Sequence, residues 1–213
     1  MSTTVPDTTT CLRLMEQYGM LPHIRKHSIV VARVAEFLVD HLPAAALPST
    51  PVQRRQHHDL VIAGALLHDI AKTLCLDNSC DHARRGAEIC TELGFPEIAR
   101  IVEEHVILKQ HEPHRYARGI FTAREIVYYA DKRVRHDEIV TLRERLDYII
   151  GHYGRNDPYL EQLIHSNFNR CLVLEEHLFS HLDFPAHSLP EKMQSHTTAL
   201  AKLSRDIAAA KIT

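Results

Sequence analysis

The segment LLHDIAK, residues 66–72, places an imidazole and a carboxylate side by side in an apolar stretch of the chain. A buried carboxylate without a partner costs several kcal/mol or takes up a proton, so His68 and Asp69 need compensation there. Neighbouring residues lie about 100° apart around a helix, so both side chains can reach a cation above the ridge between them. The pair therefore indicates a divalent metal site, and the carboxylate could bridge two ions.

Four more polar residues share helical spacing with apolar residues and are therefore predicted to point inward: His27, His82, His105 and Asp131. Alone, each could be a core side chain with a local hydrogen bond. Together with His68 and Asp69 they supply four imidazoles and two carboxylates, which one or two divalent cations would satisfy at once. Spacing is weak evidence in a chain with 17 histidines. Three other histidines could replace either His82 or His105 as a ligand: His57, His111 and His114.

Composition favours one globular domain. The chain has 213 residues, 45% hydrophobic, and a formal net charge of −2, which argues against a general nucleic-acid or membrane surface. No apolar run approaches the roughly 18 residues that span a bilayer. The polar N-terminal segment carries no export signal, so a cytoplasmic protein is expected. An odd number of cysteines without CxxC spacing predicts buried, reduced thiols: Cys11, Cys75, Cys80, Cys90 and Cys171.

Helix start and stop signals predict an all-α protein with almost no strands. Helices are expected over about 11–19, 22–42, 52–73, 79–93 and 96–110, and from Thr122, Asp157 and Ser188 onward. Residues 111–121 are predicted to form a loop. Residues 1–10 are predicted to be disordered, so the domain spans 11–213.

The last predicted helix carries a single apolar stripe formed by Met193, Leu200, Leu203 and Ile207. This stripe packs either on its own domain or on a second copy of the chain. A homodimer is therefore one expectation.

The candidate ligands occur in segments that resemble the HD superfamily of metal-dependent phosphohydrolases. These are RKHSIVVARVAEFL around His27, AGALLHDIAK around His68 and Asp69, and YYADKRV around Asp131. The resemblance covers about residues 20–136, with 137–213 forming C-terminal helices. It implies a single helical bundle with the metal at its centre.

Two further histidines resemble those of the two-metal members, which include diadenosine-polyphosphate hydrolases and cyclic-dinucleotide phosphodiesterases. They are His82, followed by Gly86, and His105 in VEEHV. No GYP triplet follows His105, so cyclic-dinucleotide hydrolysis of that type is disfavoured. A one-metal site formed by the other four residues remains the alternative.

The resemblance implies a phosphohydrolase that cleaves a phosphoester or phosphoanhydride of a small phosphorylated metabolite, most readily a nucleotide or dinucleotide. The imidazole and carboxylate ligands suit Fe or Mn, with Mg, Co, Ni or Zn compatible, and the net charge suggests no nucleic-acid or membrane partner. Asp69 would accept the proton of the attacking water, and Lys72 would contact a phosphate oxygen or pair with a carboxylate. Arg133 would bind phosphate or lie on a solvated face. The alternatives are an inactive metal- or nucleotide-binding sensor or scaffold module, and a helical protein with incidental histidines.

Overall fold

The computed structural model describes residues 5–77, 79–198, 200 and 202, and this part of the chain is predominantly helical. The elements are α1 (Thr8–Gln17), α2 (Pro22–His41), α3 (Pro51–Leu67), α4 (His82–Glu92), α5 (Pro96–Glu104), α6 (Pro113–Tyr116), α7 (Ala123–Lys132), β1 (Val134–Arg135), β2 (Glu138–Ile139), α8 (Leu142–Tyr153), α9 (Pro158–Ser180) and α10 (Leu189–Gln194). The all-α class is confirmed. Within the described residues, no helix has both the length and the apolar character needed to cross a membrane.

Four helices, α2, α3, α5 and α7, enclose the centre of the molecule. Helix α3 packs against the other three, and α2 and α5 both pack on α7. Their inward sides contribute fully buried apolar residues, among them Val31, Leu66, Val102 and Val127. Any polar residue on these inward sides must therefore find its partners within the same interior.

Helix beginnings follow the expected signals. Proline lies in the first turn of α2, α3, α5 and α9, where its missing N–H costs nothing. The predicted capping box of Thr122 and Glu125 begins α7. A second capping box, Thr141 with Glu144, begins α8, a helix that was not predicted.

Two helix ends differ from prediction, and the difference affects the site. Helix α3 ends at Leu67 rather than at residue 73, and α5 ends at Glu104 rather than at residue 110. His68 and Asp69 therefore lie in the turns after α3, not in the middle of a helix. The predicted loop 111–121 contains the short helix α6.

Helix α1 begins at Thr8, within the first ten residues that the sequence predicted to be disordered. Asp7 accepts a hydrogen bond from Thr10 N at 2.7 Å and caps α1, which begins at Thr8. Helix α1 packs on α3 and buries Cys11. The threonine-rich composition suggested no packing face, whereas Thr8–Thr10 form the first turn of a helix whose inner side buries Cys11, Leu14 and Met15. Residues 1–4 lie outside the described residues.

A short antiparallel hairpin follows α7 and was not predicted. Val134 pairs with Ile139, and Arg135 pairs with Glu138, so the turn consists of His136 and Asp137. His136 adopts a left-handed conformation with φ of 56°, which a tight two-residue turn requires. This turn brings the carbonyl of His136 toward α2.

The C-terminal region does not form the single long helix that was predicted. It also weakens the argument for a dimer, which depended on an exposed apolar stripe. Helix α10 ends at Gln194, and Met193 and Leu200 are both buried within this chain. These two stripe residues therefore pack on their own domain. Leu203 and Ile207 lie outside the described residues.

The cysteines are not all reduced as expected. Cys75 and Cys80 form a disulfide that closes the segment between the His68–Asp69 pair and α4. Spacing rules for metal sites and disulfide frameworks gave no signal for this single short-range bond. The other three are free and buried, as predicted: Cys11, Cys90 and Cys171.

Candidate metal centre

Three helices that are distant in sequence bring a first group of ligands together. His27 Nε2, on α2, lies 3.1 Å from Asp131 Oδ1, on α7. His68 Nε2, after α3, lies 3.7 Å from the same Asp131 oxygen and 3.4 Å from Asp69 Oδ2. His27, His68 and Asp69 have the mutual spacing needed to hold one metal ion. Asp131 lies close enough to complete this group.

Asp69 also belongs to a second group. Its Oδ1 lies 3.5 Å from His82 Nε2 and 3.5 Å from His105 Nε2, and these two ring nitrogens are 3.2 Å apart. Asp69, His82 and His105 have the spacing for another ion. Because Oδ2 faces the first group and Oδ1 the second, this single carboxylate connects the two groups.

Hydrogen bonds on the far side of three rings orient their free nitrogens toward the centre. His27 Nδ1 donates to the carbonyl of His136 at 2.8 Å, His68 Nδ1 to that of Ala65 at 2.7 Å and His105 Nδ1 to that of Val102 at 2.6 Å. A carbonyl only accepts, so these Nδ1 atoms carry the proton, and in the neutral rings Nε2 presents a lone pair. Such bonds fix the tautomer and ring orientation of metal-binding histidines.

The early helix ends explain two of these bonds. His68 immediately follows α3 and His105 immediately follows α5, and each ring bonds the carbonyl three residues back. Carbonyls in the last turn of a helix have no partner within the helix, so they are available to the histidines. The ends of α3 and α5 thus position a ligand each.

Close packing of α4 on α5 brings His82 to His105. Gly86 makes this approach possible, since a Cβ atom there would lie 2.7 Å from Val102 Cγ1. Asp81 caps α4 by accepting from Ala83 N at 2.9 Å, which fixes the helix beginning at His82.

Two lysines neutralise the outer sides of the carboxylates. Lys72 Nζ lies 2.8 Å from Asp69 Oδ2. Pairing with a carboxylate was one of the two roles that the sequence suggested for Lys72. Lys132 Nζ donates to Asp131 Oδ2 at 2.9 Å and to the carbonyl of His105 at 2.8 Å. Lys132 was not among the predicted residues, and its only signal was its position next to Asp131 on a buried helix.

The ionisation of the cluster favours cation binding. Burial alone would raise the pKa of Asp69, but His68 and Lys72 outweigh it and hold this pKa well below its usual range. Burial lowers the pKa of His27 and of His105, and burial together with His105 lowers the pKa of His82 to about 4. Asp69 is therefore a carboxylate, and His27, His82 and His105 are neutral imidazoles at neutral pH, the forms that bind metal. Burial lowers the pKa of His68, but Asp69 and Asp131 outweigh it and raise this pKa, so a metal ion would displace a proton from that ring.

Two atoms at the centre have no hydrogen-bond partner in the described residues, although both are buried: His68 Nε2 and Asp69 Oδ1. In addition, the lone pair of His27 Nε2 faces a carboxylate oxygen at 3.1 Å, a contact between two acceptors. Buried polar groups are seldom left unsatisfied in this way. A divalent cation in each group would supply what they lack, so the residues present fit such ions.

One predicted substrate-binding residue is corrected. Arg133 is 1% exposed, and its guanidinium donates to the carbonyls of Val140 and Ala186, to the hydroxyl of Tyr129 and to Glu175. These interactions occupy it in the core, so it is neither a phosphate ligand nor part of a solvated face. The alternative ligands are in neither metal-binding group of the described residues: His57, His111 and His114.

A helical bundle that encloses a histidine and aspartate cluster able to hold divalent ions defines the class of this protein. Residues 24–135, more than half of the chain, match the family model of the HD domain. The chain therefore belongs to the HD domain family, and the predicted resemblance is confirmed.

Curated relatives share part of this chain. A tRNA (cytidine(56)-2'-O)-methyltransferase of Picrophilus torridus is 32% identical over 152 residues, which are 67% of this chain and 40% of that protein. The protein of the same name from Thermoplasma volcanium is 30% identical over 105 residues, 48% of this chain and 26% of its own length. An uncharacterized protein of Methanocaldococcus jannaschii is 32% identical over 121 residues, 50% of this chain and 67% of its own length. The chain thus spans less than half the length of either methyltransferase. No solved structure matches it significantly.

Proposed function

We propose that this protein is a phosphohydrolase that uses two divalent metal ions to cleave a phosphoester or phosphoanhydride of a small phosphorylated metabolite, a nucleotide or dinucleotide. The observation that carries the proposal is the shared carboxylate of Asp69, whose two oxygens face separate groups of histidines. The first ion would be held by His27, His68, Asp69 and Asp131, and the second by Asp69, His82 and His105.

The donor set favours Fe or Mn, because imidazole and carboxylate suit borderline and hard cations. When bound, such ions lower the pKa of a coordinated water toward neutrality and stabilise the charge that develops on phosphoryl oxygens. Asp69 would orient the attacking water and accept its proton. Lys72 has a side chain one third exposed, so its ammonium can turn from Asp69 toward a phosphate oxygen of the substrate.

The test combines metal analysis with hydrolysis of p-nitrophenyl phosphate, bis(p-nitrophenyl) phosphate and a panel of nucleotides and dinucleotides, each with Mn, Fe, Co, Mg and Ni. We expect His68→Ala to lower turnover by at least about 100-fold, because it removes a ligand of the first ion. His165→Ala, which replaces an exposed histidine on α9, is the control and should keep full activity. Bound metal without hydrolysis of any substrate in the panel would contradict the proposal.

A second candidate is a non-hydrolytic metal- or nucleotide-binding module. Its support is that two relatives that share part of this chain are named for methyl transfer to tRNA. The matched part makes up 40% of one relative and 26% of the other. A short RNA oligonucleotide therefore belongs in the panel. Binding of nucleotide or RNA to the metal-loaded protein without phosphate release would favour the module.

A further inference from the structure

Arg145 reaches the candidate metal centre from outside the segment matched to the HD domain. It lies on α8, and its Nη2 is 3.9 Å from Asp131 Oδ1, the oxygen that also faces His27 and His68. The side chain is only 9% exposed. A guanidinium thus lies beside the first metal-binding group, on a helix that the family motifs do not include.

This guanidinium has no hydrogen bond to any of the described residues. Its Nε is buried and unpartnered, and 3.9 Å is too long for a hydrogen bond to Asp131. The other buried arginine, Arg133, donates to four acceptors in the same part of the molecule. A buried guanidinium carries five donors and is costly to leave unpaired, so Arg145 is arranged for an acceptor that the described residues do not supply.

Arg145 lies between an aromatic ring and a carboxylate that other residues already contact. Tyr148, one turn further along α8, lies with its ring 5.5 Å from the guanidinium and packs edge-on against His136 at 5.3 Å. Asp131 is the nearest carboxylate, and Lys132 and His27 already engage it. Lys132 supplies a positive charge to Asp131, so the guanidinium keeps its attraction for a further anion.

A second cationic side chain borders the centre, because Lys72 Nζ lies 2.8 Å from Asp69 Oδ2. Two cations thus flank the site, one on Asp69 and the other beside Asp131.

We propose that Arg145 binds a non-bridging oxygen of a terminal phosphate and makes the site selective for terminal phosphates over phosphodiesters. The inference rests on the proposed function. A terminal phosphate has three non-bridging oxygens, so two can face the ions and one remains for the guanidinium. A diester has only two, and both would be taken by the ions. Guanidinium groups bind phosphate through paired, charge-assisted hydrogen bonds, which a lysine does not reproduce.

The experiment compares Arg145→Gln and Arg145→Lys with Arg143→Gln, an exposed arginine on the same helix. Metal content, the affinity of the metal-loaded protein for inorganic phosphate by calorimetry, and kcat/KM for the p-nitrophenyl monoester and diester are measured. We expect Arg145→Gln to weaken phosphate binding by roughly 10- to 100-fold and to lower monoester hydrolysis similarly. Metal content and diester hydrolysis should change less than about threefold, and Arg143→Gln should match the wild type.

Folding defects are separated from loss of the contact by a measurement on the wild-type protein. In protein labelled with 15N-arginine, the Nε–H signal that is absent from Arg145→Lys should shift when phosphate is added. An unshifted signal, or phosphate affinity within twofold of wild type in Arg145→Gln, would overturn the inference, as would an equal loss of monoester and diester hydrolysis. If no substrate is hydrolysed but Arg145→Gln still loses phosphate binding, the phosphate contact stands and the hydrolase proposal fails.

Discussion

His27 Nε2 lies 3.1 Å from Asp131 Oδ1, although 104 positions separate the two residues in sequence. The contact joins α2 to α7 at the point where α3 presents His68 and Asp69. Ring and carboxylate both offer lone pairs to the same small space, so the fold stabilises an arrangement that is unfavourable without a positive charge. The core thus has the geometry of a cation site.

Metal stoichiometry should follow the two groups of ligands. We expect two ions per chain in the wild type and one in His82→Ala, because the second group loses a ligand that the first does not use. Asp69→Ala should lower the affinity for both ions, since each group includes that carboxylate. Equilibrium dialysis followed by elemental analysis measures this. The control is His114→Ala, an exposed histidine outside both groups, and two tightly held ions in His82→Ala would contradict the assignment.

Arg133 should matter for stability and not for substrate binding. Arg133→Met leaves Glu175 and the carbonyls of Val140 and Ala186 without their donor. Removing one partner of a buried ion pair costs about 3–5 kcal/mol, so urea unfolding should show a loss of that order. KM should stay unchanged at temperatures where the variant is folded. Arg135→Met, which breaks an exposed pair, should cost under about 0.5 kcal/mol, and equal losses in the two variants would refute the structural role.

The candidate site was more predictable than the helix ends around it. His27 and Asp131 could be found because apolar residues at helical spacing show which side of α2 and of α7 faces the core. His68 could be found because it follows directly on an apolar stretch of the chain. The ends of α3 and α5 could not, because apolar residues continue beyond Leu67 and Glu104, and where each helix ends depends on the tertiary packing of the residues that follow. Local residue preferences do not contain that information.

The two cationic residues nearest Asp131 show a second limit. Lys132 and Arg145 belong to sequences, YYADKR and LRERLDYII, in which a basic residue is typical of a solvated helix face. Their burial follows from how α7 and α8 pack in the folded chain. Arg133 is the opposite case. It was predicted to bind phosphate or to lie on a solvated face, but it is buried in the core.

Glu36 should make the protein less stable as pH rises. Burial raises the pKa of this carboxyl on α2, and its Oε2 has no hydrogen-bond partner in the described residues. The folded state therefore keeps its proton to higher pH than the unfolded state does. Its contribution is fully present below the unfolded pKa of about 4.3 and is lost as pH rises through the higher folded pKa.

Glu36→Gln removes this titration, so its stability relative to wild type should increase from pH 4 to pH 8. Urea unfolding at both pH values measures the difference. Glu92→Gln, in which the replaced carboxyl is exposed, should show no such trend. A constant difference between Glu36→Gln and wild type would mean that burial does not perturb the Glu36 carboxyl.

The disulfide between Cys75 and Cys80 should support the second metal group more than the first. It restrains the segment that connects Lys72 to His82, whereas His27, His68 and Asp131 are held by other elements. In the chain-entropy account, closing so short a loop contributes about 2 kcal/mol to the free energy of unfolding.

We expect a reductant, or Cys75→Ser combined with Cys80→Ser, to lower the free energy of unfolding by about that amount. Either change should also weaken the binding of one ion by allowing His82 to move relative to His105, while the other ion is retained. Urea unfolding and metal titration of the same samples measure the two effects. The double variant is its own control, because reductant should not change it further. Equal weakening of both ions would show that the segment before α4 positions Asp69 as well as His82.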